Sequence, residues 1–267
     1  MADFSKYSIL ISVSGTITAK SPLRIGAGRA LGIMESDLPV IKNTHGIPVI
    51  PGSSLKGFFR GQLQKILLMR MQKSYVDDLL KEIFGGSGES DKASAVLFHE
   101  MRMIKGRVSE RKHIAINPET GGVSNLFDVE CVMDGAVFEG KMLSARNLNP
   151  KALGLIKVVI DVTKLGFGRL GGFKSRGYGE VEIAVEDIGL VFPGMGMNDL
   201  RSGFSVEDLI PEEFGSIRVK ASDSEFSVDD EKFKAEMKEN PYLGVEVKIG
   251  KEEAKKFLDS MLRMVKL

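Results

Sequence analysis

Two stretches of the 267-residue chain concentrate side chains able to hold a phosphate. The first is "PVIPGSSLKGFFR", residues 48–60. Ser53 or Ser54 is a good helix N-cap after the Pro51-Gly52 turn, and Lys56 and Arg60 follow one turn apart. Both cations lie away from the apolar stripe of Leu55, Phe58, Phe59, Leu63, Ile66 and Leu67. Free N–H groups, hydroxyls and two cations at one helix start suit an anion. A capped surface helix with solvated charges accounts for the same residues. The second stretch is "LGFGRLGGFKSRGYGEVEI", residues 165–183. Six glycines between Gly166 and Gly179 let backbone N–H groups approach a ligand, and they leave Arg169, Lys174 and Arg176 projecting from the loop. Neither stretch matches a Rossmann or Walker pattern.

Composition bounds the partners. Hydrophobic residues at 43 % and charged residues at 27 % describe a soluble globular protein with no run long enough to span a bilayer. "MADFSKYSILISV" lacks a secretory cleavage pattern. A single cysteine, Cys131, rules out an internal disulfide and a cysteine zinc cluster and fits a reducing cytoplasm. His45, His99 and His113 are not at metal-ligand spacing. The net charge of +1 conceals an asymmetry: residues 1–185 hold 25 Lys and Arg against 18 acids, and residues 186–267 hold 12 against 18. Such asymmetry points to a basic part that meets an acidic polymer. Three basic segments, 53–74, 102–112 and 164–177, carry the excess, with Arg107 and Arg111 in the second.

The elements that must position these residues read as follows. Tyr7 to Ile17 alternates as a strand, and a helix runs from about Ser54 to Met71. A second helical patch, Tyr75 to Phe84, ends at a glycine cluster. Ala95 to Met103 reads as a strand. Leu126 to Met133 and Val137 to Ser144 read as two strands joined by the turn at Asp134-Gly135. Asn149-Pro150 opens a helix to Leu165, although its β-branched residues argue for a strand as well. Tyr178 to Val185 is a further strand. The order strand–helix–strand–strand–helix–strand is the ferredoxin-like split βαβ arrangement of an α+β fold. It predicts a domain over 1–188, with insertions at about 72–94 and 104–125, and a less patterned acidic C-terminal extension over 189–267. That extension ends in a helix from Glu252 to Val265. Phe127 is expected in the core, as are Met101 and Met103 on their strand.

The segments "PLRIGAG", "SDLPVIKNTHGIPVIPGSSLKGFFR", "HIAINPETGGVSNLFDVE" and "GGFKSRGYGEV" occur in the order found in the RAMP superfamily of CRISPR systems. The chain resembles that family over residues 8 to about 185, and in particular the backbone subunit of type III effector complexes. The resemblance implies a core like an RNA-recognition motif, an inserted thumb hairpin, and copies of the chain polymerised along a CRISPR guide RNA beside other RAMP subunits. It implies that Ser53, Ser54, Lys56, Arg60, Lys174, Ser175 and Arg176 face the guide. Asp37 in "SDLPVI" matches the aspartate with which the family's backbone subunits cleave bound target RNA, with Glu35 its nearest rival. A carboxylate there could hold a magnesium or manganese ion or orient the attacking hydroxyl; Asp37 could equally start a turn before Leu38-Pro39. Zinc is not expected, and no ligands for a metal other than Asp37 emerge.

Two departures stand out. Asn117-Pro118 occupies the thumb position where relatives often carry Asp-Arg, leaving Arg107 and Arg111 to supply charge. The cysteine–histidine knuckle of some relatives is absent. His113 opens the thumb segment and could stack on a base, cap a turn or be merely structural. Two further readings belong beside target cleavage: a non-catalytic RAMP scaffold or end subunit that binds RNA without cutting, and a guide-maturing endoribonuclease. The last fits poorly, because His45 lies in a turn and the glycine-rich loop lies far from the C-terminus.

Overall fold

The computed structural model describes residues 9–28, 38–86, 93–206 and 216–265. Asp37 and Glu35 therefore lie outside the described residues. The chain is a mixed α and β structure built around one large antiparallel sheet.

Strand β1 (Leu10–Ala19) is its centre. Ile11, Val13, Ile17 and Ala19 are buried, and Ser12, Ser14, Thr16 and Thr18 are half-buried on the opposite face. That alternation is what one covered face and one open face require. Strand β2 (Val49–Ile50) leads into α1 (Gly52–Leu67). Leu55, Phe58, Phe59, Leu63 and Leu67 form its buried stripe. The N-cap is Pro51, with no side-chain cap bond, so neither Ser53 nor Ser54 caps the helix. Helix α2 (Lys73–Phe84) follows and stops at Gly85, whose φ is 81°.

The strand read over Ala95–Met103 is two, β3 (Val96–Phe98) and β4 (Met101–Lys105), broken at His99-Glu100. The His99 amide there bonds the Met142 carbonyl, while its ring Nε2 lies 2.8 Å from Ser144 Oγ. Strands β5 (Val108–Ile116) and β6 (Val123–Val132) form a separate two-stranded ribbon where the resemblance leads one to expect the thumb hairpin, and it takes that label, although it runs to Val132 and so past the expected insertion at about 104–125. Strand β7 (Val137–Arg146) returns to the main sheet. The turn at Asp134-Gly135 is thus a corner between two sheets and not a hairpin, because β7 pairs β1, β3 and β4 while β6 pairs β5. Alternation alone cannot say which neighbour a strand chooses.

Helix α3 (Pro150–Lys164) starts as expected: the Asn149 side chain accepts from the Ala152 amide at 2.9 Å, with Pro150 at the first helical position. Its length and sides are buried almost all round. Strand β8 (Val181–Phe192) is longer than the sequence suggested. The register of β1 slips against β7 after Val13 and against β8 after Ser14, so both neighbours carry an extra residue at one level of the sheet. Bulges of this kind bend a sheet and sharpen its twist.

The C-terminal segment is more regular than its sequence implied. Helix α4 (Met197–Ser202) precedes β9 (Phe204–Val206), β10 (Ile217–Ala221), β11 (Glu225–Val228) and β12 (Glu231–Lys234), which form a small antiparallel sheet. Strands β13 (Glu236–Asn240) and β14 (Gly244–Gly250) then add to the main sheet, and α5 (Lys251–Met264) packs on α3. The main sheet reads β13-β14-β8-β1-β7-β4-β2, with β3 also on β7. Residue 189, where the extension was expected to begin, lies inside β8.

Candidate nucleic-acid interface

Three segments far apart in sequence meet at the base of the thumb. Leu23 and Val132 exchange backbone hydrogen bonds at 2.8 Å each way, joining the "PLRIGAG" loop to β6. Leu38 bridges Val129, and its carbonyl accepts from the Glu130 amide at 3.1 Å. The Glu130 carboxylate accepts from the Val40 amide at 2.8 Å and pairs with Lys42 at 2.6 Å. The segment that follows Asp37 in sequence is therefore fastened to the thumb base.

The glycine-rich loop closes the arrangement from the other side. The Gly172 amide donates to the Arg24 carbonyl at 2.8 Å, and the Gly179 amide donates to the Pro22 carbonyl at 2.8 Å. Glycine is required at two positions of this loop. A Cβ on Gly171 would stand 2.2 Å from the Arg24 carbonyl oxygen, and one on Gly179 would stand 2.1 Å from that of Leu170; both have positive φ. Lys174–Arg176 form a 3-10 turn opened by Phe173, a bulky residue at φ 55°. A left-handed non-glycine residue of this kind costs about 1–3 kcal/mol and persists only where its surroundings hold it.

Aromatic stacking holds it. His113 on β5 lies directly across the ribbon from Phe127 on β6. The His113 ring stacks on Phe127 at 5.8 Å and on Phe173 at 5.4 Å, nearly parallel to both. Its Nε2 lies 2.9 Å from Tyr178 Oη. Arg24 and Arg176 both sit over the Phe173 ring, at 5.3 and 5.0 Å, and Arg111 sits over Tyr178. Burial lowers the pKa of the His113 imidazole, with Arg176 and then Arg111 adding to the effect. Burial likewise lowers that of Arg24. Phe127 is accordingly a half-buried member of this stack and not a core residue. Met101 is buried and Met103 half-buried, as expected of sheet residues.

The expected cations divide into two groups. Arg111 and Arg176 belong to the aromatic cluster, with Lys174 and Ser175 exposed on the same loop. Arg107 is exposed at the foot of the ribbon, its carbonyl accepting from the Met133 amide at 2.9 Å. Ser53, Ser54, Lys56 and Arg60 stand on α1; Arg60 reaches the Gly85 carbonyl at 3.4 Å. Phe58 of α1 approaches Gly168 closely enough that a Cβ there would touch its ring at 3.3 Å, so the two motifs are in contact. Arg169 is not free: it pairs with Glu180 at 3.0 Å. By contrast, no carboxylate among the described residues pairs with Lys56, Arg60, Arg107, Arg111, Lys174, Arg176 or Arg24. Asn117 closes the hairpin tip, its side-chain oxygen accepting from the Glu119 amide at 2.8 Å. Among the described residues no three carboxylate, imidazole or thiol groups gather as a metal's ligands would.

Sequence reasoning did not single out Arg24, Phe173 or Tyr178. Each lay within a quoted motif, but nothing in one strand of text says that residues 24, 113 and 173 share a ring stack.

The family model for the RAMP superfamily matches residues 16–182. The chain is 26 % identical over 198 residues to the CRISPR system Cms endoribonuclease Csm3 of Enterococcus italicus, covering 68 % of this chain and 92 % of that protein. It is 29 % identical over 189 residues to the protein of the same name from Streptococcus thermophilus, covering 64 % of this chain and 86 % of that one. Its fold is like that of a chain in the type III-B Cmr-beta assembly bound to cognate target RNA, with a TM-score of 0.52 at 14 % identity over 67 % of this chain and 98 % of the other. No described helix is long and apolar enough to cross a membrane. With a family model spanning more than half its length, the chain belongs to the RAMP superfamily.

Proposed function

We propose that this chain is a backbone subunit of a type III CRISPR effector complex that grips guide RNA and cleaves the target RNA paired with it. The observation that supports the reading is the meeting of the "PLRIGAG" loop, the glycine-rich loop and the thumb base, with Arg24, Arg111 and Arg176 gathered on two aromatic rings and none of them paired with a carboxylate among the described residues. Guanidiniums gathered without counter-charge, Arg24 half-buried and Arg111 and Arg176 exposed, favour phosphate oxygens, which Arg engages in bidentate fashion. Similarity to two proteins named as Csm3 endoribonucleases supports the activity. The sheet order β8-β1-β7-β4, with α1 between β1 and β4 in sequence and α3 between β7 and β8, supports a ferredoxin-like core.

In this reading the two groups of cations bind successive phosphates. The thumb, rooted at the first group, projects over the duplex of guide and target. A splayed target backbone brings a 2′-hydroxyl in line with its own phosphate, and Asp37 assists that attack. Other subunits of the complex and further copies of this chain flank it, in the cytoplasm.

Asp37→Ala in an assembled complex should leave guide and target binding intact and abolish target cutting. Cutting at the wild-type rate would favour the non-cutting scaffold. Loss with Glu35→Ala alone would move the role by two residues. The requirement for magnesium or manganese is read in the same assay by chelation and re-addition of each ion.

A further inference from the structure

The thumb is a two-stranded ribbon that forms a sheet of its own, and two strands alone are marginally stable in water. Its foot is tied to the body through Leu23, Leu38 and Glu130. Beyond the level of His113 and Phe127, Ile114, Ile116, Val123 and Leu126 are all more than half exposed. The outermost described level at which the ribbon rests on another element is therefore the His113 stack on Phe173, with the hydrogen bond to Tyr178 beside it. A lever is aimed by its last support. That support stands on the glycine-rich loop.

We propose that His113 is a positioning residue that seats the thumb hairpin on the glycine-rich loop, so that the loop holding the phosphate backbone also sets where the hairpin lies over bound RNA. The inference rests on the reading of that loop as a backbone grip. Neutral imidazole is the form the seat accepts. The groups around it are Arg111 on β5, Arg176 and Tyr178 on the loop, Arg24 across Phe173, and the buried thiol of Cys131 on β6. The nearest acids on the ribbon face elsewhere: Asp128 lies opposite Lys112 on the other face, and Glu130 is bound to Val40 and Lys42. Burial, then the Arg176 and Arg111 guanidiniums, disfavours the imidazolium. The folded pKa is lowered, so the contribution of the seat is complete above the ordinary histidine value of 6.5 and is lost as pH falls through the folded value.

The test is hydrogen exchange on the full chain, read as protection factors at about pH 7.5 and about pH 5.5. At the higher pH, His113→Ala should lower protection of residues 108–132 about tenfold, with β1 and β8 unchanged. His113→Phe keeps a ring in the stack and should restore most of that protection. Acidification should loosen the thumb of the wild-type chain and leave that of His113→Phe unchanged. His99 also titrates with a lowered pKa, from burial and then Lys141, but its effect falls on β3 and β7. Unchanged thumb protection in His113→Ala, or an equal loss across the whole sheet, overturns the proposal. So does a pH response that survives in His113→Phe. Binding of single-stranded RNA to the wild-type chain is measured alongside: failure to bind, with the exchange pattern as expected, sinks the grip reading and leaves the seat standing.

Discussion

Lys56 and Arg60 illustrate what one residue can and cannot disclose. Their spacing is visible in the sequence, and α1 presents them as expected. Neither has a carboxylate partner among the described residues, whereas Lys232 pairs with Glu225 and Arg263 with Glu231. Unpaired cations cost little to leave in water, so the pairing pattern alone does not mark a binding site, and the salt dependence of binding is the measurement that does. If both touch phosphates, Lys56→Ala with Arg60→Ala should weaken binding to RNAs of different sequence alike. The dependence of log affinity on log salt should become shallower by about 1 to 1.5, since each single-strand phosphate contact contributes about 0.7. Lys232→Ala should alter neither. An unchanged slope in the double variant removes α1 from the interface. Arg24 was harder to see. It is a lone cation in a short loop, and only the fold brings it over Phe173, about 150 residues away. Local patterns reveal residues that act through their neighbours in sequence; they are silent about partners met through tertiary packing.

At the scale of elements, the same division holds. The helices were legible because their apolar stripes recur every three to four residues and Asn149-Pro150 and Gly85 mark ends. Strand partners were not. The turn at Asp134-Gly135 looks like a hairpin, yet β6 belongs to the thumb and β7 to the main sheet. Helix α3 was ambiguous in sequence because of its β-branched residues, and the packing explains why so much of it is apolar: β8, α1 and α5 all pack on it. Where α5 crosses, a Cβ on Gly154 would lie 2.7 Å from Leu262 Cα and 3.0 Å from the Met261 carbonyl carbon, both backbone atoms that cannot turn aside. Alanine in place of glycine ordinarily stabilises a helix by about 1 kcal/mol. At Gly154 overpacking costing about 1–3 kcal/mol should outweigh that gain, so Gly154→Ala should lower the melting temperature. Gly61→Ala on α1, where nothing lies within 4 Å, should raise it. Shifts of the same sign would mean that the α3–α5 crossing has room.

At the scale of the whole molecule, the question is whether residues after β8 are an appendage or part of the core. Their acidic composition and weak patterning suggested an appendage. The packing argues otherwise. Strand β14 pairs along the outer edge of β8 from Val245 opposite Phe192 to Gly250 opposite Asp187. Ala254, Phe257, Leu258 and Met261 of α5 are buried in the same cluster as Ile156, Val159 and Ile160 of α3. The two helices are also joined by Lys157, whose ammonium is 2.7 Å from Asp259 and bonded to Asp161. Burial opposes its charge, but the two carboxylates more than compensate and raise its pKa overall. A chain ended at Pro193 would bare the β8 edge and the apolar back of α3 at once. An unpaired edge beside an apolar face is a template for aggregation. Expressed alone, residues 1–193 should therefore be insoluble or melt without cooperativity, and adding residues 194–267 as a separate polypeptide should recover soluble protein. A monomeric 1–193 fragment with a sharp thermal transition would show instead that the RAMP core is complete by the end of β8. The added strands and helix would then be an elaboration carried on its flank.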